Sequence, residues 1–171
     1  MRKFLLFLMC LSLSVTASAQ LQMVAFKSAT ATSYQSGEDA NKAFDGNYET
    51  IWHSSYSSTS FPVTITLTLN EKTHVDILRY VPRQSGTNGN WNEVDVEYSE
   101  STFLNKWTPL GTYFLNGSGS SYDFNMPEGD LSIARVRFRI KSGSGNFASA
   151  AEIEAYTIDN TKQEAFKPYF Q

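Results

Sequence analysis

The sequence predicts an all-β fold, an antiparallel β-sandwich or jelly roll. Short runs rich in Val, Ile, Thr, Tyr and Phe alternate with clusters of Gly, Asn, Ser and Asp. This spacing of short strands and turn residues is typical of sandwiches. Beyond the N-terminal region, no long stretch has the apolar period of an amphipathic helix. The 171 residues suffice for one domain with a substantial core, and not comfortably for two.

Seven segments carry the strand pattern. The clearest are residues 63–69 and 133–140, in which apolar and polar side chains alternate with period two, as in half-buried strands. Trp52 and Trp107 are interpreted as core residues, and His74 as a solvent-facing residue of a turn. The glycine-rich segments lie between strands rather than between a strand and a helix, so they are predicted to be turns, not phosphate-binding loops. The other predicted strands are 74–81, 94–98, 107–115, 121–125 and 151–158.

Residues 1–19 are predicted to be a signal peptide. Arg2 and Lys3 precede a short apolar run, and Ala17-Ser18-Ala19 has the small-x-small form of a cleavage site. The run is too short for a permanent membrane anchor, and a buried N-terminal helix is the alternative interpretation. We therefore expect an exported protein, secreted, periplasmic or at the cell surface. The expected organisation is a signal peptide at 1–19, a sandwich at 20–158 and a C-terminal tail at 159–171.

Charge and cysteine content exclude several classes of partner and of covalent or metal cross-link. Without residues 1–19, 12 Lys and Arg remain against 17 Asp and Glu, a formal net charge of −5. Clustered cations favour binding to nucleic acids and to anionic membranes, so neither is the expected main partner of this acidic chain. The only cysteine, Cys10, lies in the predicted signal peptide. We therefore expect neither disulfides nor a cysteine metal site. The hydrophobic core, with or without a bound ion, must then stabilise the folded domain.

The segment 41–53 contains the residue types of a small cation loop. Calcium takes six to eight oxygen ligands, which a loop supplies from carbonyls and one or two carboxylates. Asp45 and Thr50 are such ligands, with Gly46 permitting a tight turn. Taken alone, Asp45 is better explained as an ordinary turn former.

The same segment carries a resemblance. Lys-Ala-Phe-Asp-Gly-Asn at 42–47, followed by Thr-Ile-Trp-His at 50–53, resembles the signature of discoidin (coagulation factor 5/8 type C) domains. Within that superfamily it is most similar to family 32 carbohydrate-binding modules. Ala-Glu-Ile at 151–153 resembles the last strand of the family, and 80–84, 88–89 and 94–99 fit its middle strands. The resemblance covers roughly residues 26–157, three motifs in the family's order.

The resemblance implies an eight-stranded sandwich whose chain ends lie close together, and a structural calcium ion. The implied ion joins the early loop to the last strand and so holds the two ends of the domain together. Its implied carbonyl ligands are Lys42, Asn47, Thr50 and Ala151, and its implied side-chain ligands are Asp45, Thr50 and Glu152.

The resemblance also implies a galactose-binding site. A hexose presents hydroxyls and one apolar face, so it needs polar groups and an aromatic platform. The matching polar residues are His53, Arg83 and Asn88, with Tyr56 and Phe147 as platforms and Trp91 as an alternative platform. Each has a structural interpretation too: a surface charge for Arg83, a loop cap for His53, and packing under loops for the aromatic pair.

The leading hypothesis is therefore a non-enzymatic module that binds terminal galactose or N-acetylgalactosamine on host or dietary glycans. His53 would contact an axial hydroxyl. A discoidin-like domain for protein interaction, adhesion or phospholipid binding is the alternative. A hydrolase is the least favoured, since zinc-hydrolase and Gly-x-Ser-x-Gly motifs are missing, although counting alone leaves a glycosidase carboxylate pair open. We expect a monomer, acting alone or with a surface or glycoside-processing protein.

Overall fold

The structure is a computed structural model that describes residues 20–57 and 59–159. Eleven strands form this part of the chain. Two 3-10 turns, Ala40–Ala43 and Ser144–Asn146, accompany them. The strands are β1 (Gln20–Val24), β2 (Phe26–Ala31), β3 (Trp52–His53), β4 (Val63–His74), β5 (Ile77–Val81), β6 (Trp91–Ser99), β7 (Thr108–Phe114), β8 (Tyr122–Asn125), β9 (Ser132–Gly143), β10 (Ser149–Ala150) and β11 (Glu152–Asp159).

Antiparallel pairing arranges these strands in two large sheets and one small one. The five-stranded sheet has the order β2-β4-β9-β6-β7, and the four-stranded sheet has the order β1-β11-β5-β8. The pair β3-β10 forms a separate two-stranded sheet. The predicted all-β antiparallel fold is confirmed, but the predicted number of eight strands is wrong. Two of the additional strands, β3 and β10, have only two residues each, too few to show an alternating pattern.

The core lies between the two large sheets. Val63, Ile65, Leu67 and Leu69 of β4 are all buried, because alternate side chains of a strand point to the same face. The partner strands β9 and β6 add apolar residues in the same manner. Tyr80 and Trp91 stack within this core, with ring centroids 3.9 Å apart and planes inclined by 14°.

Strand register defines two ends of the sandwich. Val81 pairs with Glu152 at one end of the β5-β11 ladder, and Ile77 pairs with Tyr156 toward the other. The loops that follow β3, β5, β7 and β9 lie at the first end, here called the loop end. Gln20 pairs with Asp159 beyond Ile77, at the opposite end, here called the terminal end. Direct pairing of β1 with β11 brings the two ends of the described chain together.

The interpretations of two residues, Trp107 and His74, change. Trp107 is half-buried on the outer face of the five-stranded sheet, where the guanidinium groups of Arg135 and Arg137 lie 4.6 and 4.3 Å from its ring centroid. It is therefore not a core residue, whereas Trp52 is fully buried as predicted. His74 ends strand β4 rather than lying in a turn, and it is half-buried with two hydrogen-bond partners.

The predicted signal peptide and all but the first residue of the predicted tail lie outside the described residues. Within the described ranges, no helix is long and apolar enough to cross a membrane.

Candidate functional site

The short sheet of β3 and β10 brings two distant segments together at the loop end. His53 pairs with Ser149, and Trp52 pairs with Ala150. The Ser54 amide donates to the Ala148 carbonyl at 2.7 Å, which extends the pairing by one residue. As a consequence, the loop before Ser149 lies directly beside the loop after His53.

Three aromatic side chains meet where these loops adjoin. The ring centroid of His53 lies 4.8 Å from that of Tyr56 and 5.1 Å from that of Phe147, and the Tyr56 and Phe147 centroids are 6.2 Å apart. Tyr56 is 53% exposed and Phe147 is half-buried, whereas His53 is only 1% exposed. The group thus presents an aromatic surface to solvent, with the imidazole packed beneath it.

The hydrogen bond of His53 fixes its tautomer. Nδ1 lies 2.7 Å from the carbonyl oxygen of Ser54. A carbonyl oxygen only accepts, so Nδ1 is the nitrogen that donates to it. In the corresponding neutral tautomer the other nitrogen, Nε2, is an acceptor.

Arg83 and Asn88 occupy the adjacent loop between β5 and β6. Arg83 Nε donates to the Ser85 carbonyl at 2.6 Å, and Nη1 donates to the Asn88 carbonyl at 3.2 Å. The same Asn88 carbonyl accepts from Ser149 Oγ at 3.1 Å, which ties this loop to β10. Arg83 therefore shapes its own loop as well as offering charge to a ligand.

A glycine supports the amide of Asn88. Gly145 has a φ of +66°, and a Cβ built on it would lie 2.7 Å from Asn88 Oδ1 and 3.4 Å from the Phe147 ring. The Asn88 amide thus lies against the backbone beside Phe147. Because of this contact, the five sugar-site residues predicted from the sequence form one continuous group: His53, Tyr56, Arg83, Asn88 and Phe147.

Sequence reasoning missed two residues of this group and misplaced one. Glu38 Oε2 accepts from the Tyr56 hydroxyl at 2.7 Å, and Gln35 Oε1 accepts from the Tyr56 amide at 3.1 Å. No motif marks either residue. Trp91, the alternative platform, is fully buried in the core against Tyr80, so that prediction is wrong.

A cavity of about 340 Å³ opens next to this group. It lies between the Arg83 loop and the segment 48–51, and Glu38 and Arg83 belong to both the cavity and the aromatic site. Its remaining lining residues are Gly37, Lys42, Tyr48, Glu49, Thr50, Ile51, Gln84 and Ser85.

The predicted calcium loop places its two carboxylates beside each other. The Asn47 amide lies 3.0 Å from Asp45 Oδ1 and 3.0 Å from Glu152 Oε1. Thr50 Oγ1 lies 2.9 Å from both carboxylate oxygens of Asp45. Lys42 Nζ contacts Asp45 Oδ2 at 3.1 Å, an ion pair that sequence reasoning did not foresee. Ala151 is buried beside Glu152, with its amide bonded to the Val81 carbonyl at 2.9 Å.

The two carboxylates have opposite electrostatic environments. Burial raises the pKa of Asp45, but hydrogen bonds from Thr50, Lys42 and Asn47 outweigh it and leave the pKa below its ordinary value. Burial and the neighbouring Asp45 raise the pKa of Glu152 to about 7. A cation between the two carboxylates would relieve this repulsion, so the oxygen donor set fits a hard cation such as calcium. The described residues contain no cluster of three or more His, Cys, Asp or Glu side chains suited to a metal.

The fold and the loop-borne site define the class of protein, a discoidin-type β-sandwich. The chain belongs to the F5/8 type C domain family, whose model matches residues 28–153.

Two curated relatives are large enzymes that share only this region. An A type blood N-acetyl-α-D-galactosamine deacetylase of Flavonifractor plautii is 31% identical over 137 residues, which cover 75% of this chain and 17% of the relative. A galactose oxidase of Gibberella zeae is 32% identical over 100 residues, 56% of this chain and 15% of the relative. The chain thus spans about a sixth of the length of these relatives.

Solved structures of similar fold are carbohydrate-binding modules. A family 32 module of Clostridium perfringens, in complex with GalNAc-β-1,3-galactose, is 29% identical with a TM-score of 0.68, covering 76% of this chain and 94% of that chain. The family 32 module of Clostridium perfringens NanJ, in complex with galactose, is 24% identical with a TM-score of 0.69, covering 76% and 93%. At 24% identity, the similarity to the NanJ module shows the fold alone.

Proposed function

We propose that this chain is a non-catalytic carbohydrate-binding module that recognises terminal galactose or N-acetylgalactosamine. The observation that carries the proposal is the grouping of Tyr56, His53 and Phe147 with Arg83 and Asn88 at the loop end. The similarity to the module solved with GalNAc-β-1,3-galactose supports this sugar class. We also propose that the chain is exported, as the sequence of residues 1–19 indicates.

The proposed binding mode divides the sugar between two kinds of contact. The apolar face of the hexose packs on the exposed ring of Tyr56 and the edge of Phe147. Hydroxyls on the other side bond to the Arg83 guanidinium and the Asn88 amide. His53 supports both rings from beneath, and because it is only 1% exposed, its Nε2 reaches a sugar hydroxyl only where the Tyr56 and Phe147 rings move apart. Few atoms are buried at such an open site, so the dissociation constant is expected to be on the order of 10–1000 μM.

Calcium is proposed as a structural ion near the same end of the molecule. Asp45, Thr50 and Glu152 would hold it with side-chain oxygens, together with carbonyls of Lys42, Asn47, Thr50 and Ala151. The ion would supply positive charge between two carboxylates and so link the 42–50 loop to β11. Lys42 Nζ would then lose its role as the counterion of Asp45.

A glycan array screened with the chain lacking residues 1–19, in the presence of calcium, tests the proposal. We expect binding to glycans ending in galactose or N-acetylgalactosamine. Arg83→Ala should weaken it at least tenfold, because the site loses a charged donor and a loop support. Arg139→Ala removes a half-buried cation from the outer sheet face and is the matched control. A folded, calcium-loaded protein that binds no glycan would contradict the proposal and favour a protein partner.

A further inference from the structure

The cavity beside Arg83 does not belong to the surface on which the terminal sugar is proposed to lie. None of its lining residues is His53, Tyr56, Asn88 or Phe147. It is nevertheless continuous with that surface, because Arg83 forms part of its wall and Glu38 holds the Tyr56 hydroxyl at 2.7 Å. A glycan whose last unit rests on Tyr56 therefore has an adjacent recess for the unit that follows.

The size of the cavity suits a small polar ligand. Its volume of about 340 Å³ falls at the lower end of the range of roughly 300–1000 Å³ for small-molecule sites. That volume is several times the roughly 30 Å³ share of one water molecule in the liquid. Gln84 and Glu49 line it, and their amide and carboxylate groups can donate to or accept from sugar hydroxyls, whereas the Thr50 hydroxyl is already bonded to Asp45 and Asn47.

The charges around the cavity favour a neutral ligand. Its wall carries two carboxylates, Glu38 and Glu49, and two cations, Lys42 and Arg83. Lys42 is already paired with Asp45 at 3.1 Å, and the charge of Arg83, whose hydrogen bonds go to neutral backbone carbonyls, is matched by the two carboxylates of the wall. The wall therefore has no excess of positive charge with which to attract an anionic sugar.

From this geometry we propose that the cavity binds the second sugar unit of a neutral glycan, so that the chain recognises a disaccharide rather than a single terminal residue. The inference rests on the proposed binding of terminal galactose. It assigns ligand contacts to Glu38, Glu49 and Gln84, none of which the family resemblance suggests.

The test is an amide-resolved NMR titration of the chain lacking residues 1–19, with four ligands. These are galactose, two neutral galactose-ended disaccharides with β-1,3 and β-1,4 linkages, and a sialylated galactoside. Galactose should shift only amides near Tyr56 and Phe147. At least one neutral disaccharide should also shift the amides of Gly37 and Glu49, and bind roughly tenfold more tightly than galactose. The sialylated ligand should show no such gain.

A variant pair separates the two sites. Glu49→Ala should reduce the disaccharide advantage by about three- to tenfold, the value of one or two hydrogen bonds, and leave galactose affinity unchanged. Glu100→Ala removes an exposed carboxylate at the terminal end and should change neither affinity. Equal affinities for galactose and both disaccharides, or a preference for the sialylated ligand, would overturn this inference alone. No shift with any ligand would overturn the proposed function and this inference with it.

Discussion

Glu152 is a buried carboxylate that is 3% exposed and lies beside Asp45. Its folded pKa of about 7 lies above the ordinary value of 4.5, so the folded state favours the protonated form. In calcium-free protein, the stability contributed by protonated Glu152 is complete below about pH 4.5 and is lost as the pH rises through 7. The ionised group at pH 8 therefore costs on the order of 3 kcal/mol. Glu152→Gln should raise the unfolding free energy of calcium-free protein at pH 8 more than at pH 5, as measured by urea denaturation.

The calcium-loaded state provides the control for that result. A bound calcium needs the ionised carboxylate, so Glu152→Gln should destabilise the loaded protein at pH 8 and weaken its calcium affinity. If the variant had the same effect with and without calcium, the proposed role of Glu152 as a ligand would be wrong.

His74 contacts an acceptor with each ring nitrogen. Nδ1 lies 3.0 Å from the Leu131 carbonyl, and Nε2 lies 2.9 Å from Asp76 Oδ1. Only the imidazolium form donates to both. The hydrogen bond that His74 donates to Asp76 is the largest cause of a pKa above the ordinary value for His74; burial opposes it and the hydrogen bond to the Leu131 carbonyl adds to it.

The charged form of His74 should stabilise the terminal end in mildly acidic solution. Because the folded pKa is raised, the contribution is complete below about pH 6.5 and is lost as the pH rises through the folded pKa. His74→Gln should therefore lower the melting temperature at pH 5.5 by a few degrees and leave it nearly unchanged at pH 9. Thermal melts of wild type and variant across this range check the expectation, and an equal loss at both pH values would refute it.

Single residues divide into those that a motif predicts and those that only the tertiary structure reveals. The resemblance selected Asp45 and Glu152, which the structure places side by side although 107 positions separate them in the chain. It could not reveal that His53 is buried or that Arg83 is engaged by carbonyls of its own loop. These properties depend on contacts with other loops, which residue type does not encode.

Among the elements, the loop after β9 depends on the backbone of Gly145. Its positive φ is a conformation that side-chain-bearing residues rarely adopt, and a Cβ would press on the Asn88 amide. Gly145→Ala should therefore weaken galactose binding by about tenfold and cost roughly 1 kcal/mol of stability. Gly119→Ala is the matched control, because a Cβ there meets nothing within 4 Å. Calorimetry with galactose compares the two, and equal affinities would contradict the role given to Asn88.

Strands were predictable where one face is buried and the other is not. Residues 63–69 alternate clearly, and β4 begins at Val63 and buries the predicted side chains. β1 has the sequence Gln-Leu-Gln-Met-Val, but four of its five residues are exposed, so it lies on the sheet edge without a core signal. The strand predicted over 74–81 is shorter because residues 75 and 76 form the turn before β5. Edge position and turns depend on the partner strand, which local pattern does not specify.

At the scale of the whole molecule, calcium should act on global stability. An ion that binds only the folded state stabilises it by about 2.7 kcal/mol at a hundred times its dissociation constant. For a domain of this size that corresponds to a rise of roughly 5–10 °C in melting temperature. Differential scanning calorimetry with calcium and with a chelator measures the rise. Magnesium at the same concentration is the control, and an unchanged melting temperature in calcium would contradict the ion site.

The pairing of Gln20 with Asp159 has a consequence for how the domain is presented. Both ends of the described chain leave the sandwich side by side, on the side opposite to the aromatic and polar loops. Either position can join the domain to a surface, a neighbouring domain or a fusion partner. The loop end of the sandwich would then point away from that attachment. The full length of the strands would separate that attachment from the ligand. Orientation of the binding face toward solution is thus determined by strand register, and attaching the protein through residue 20 or 159 to a sensor chip should leave its ligand access intact.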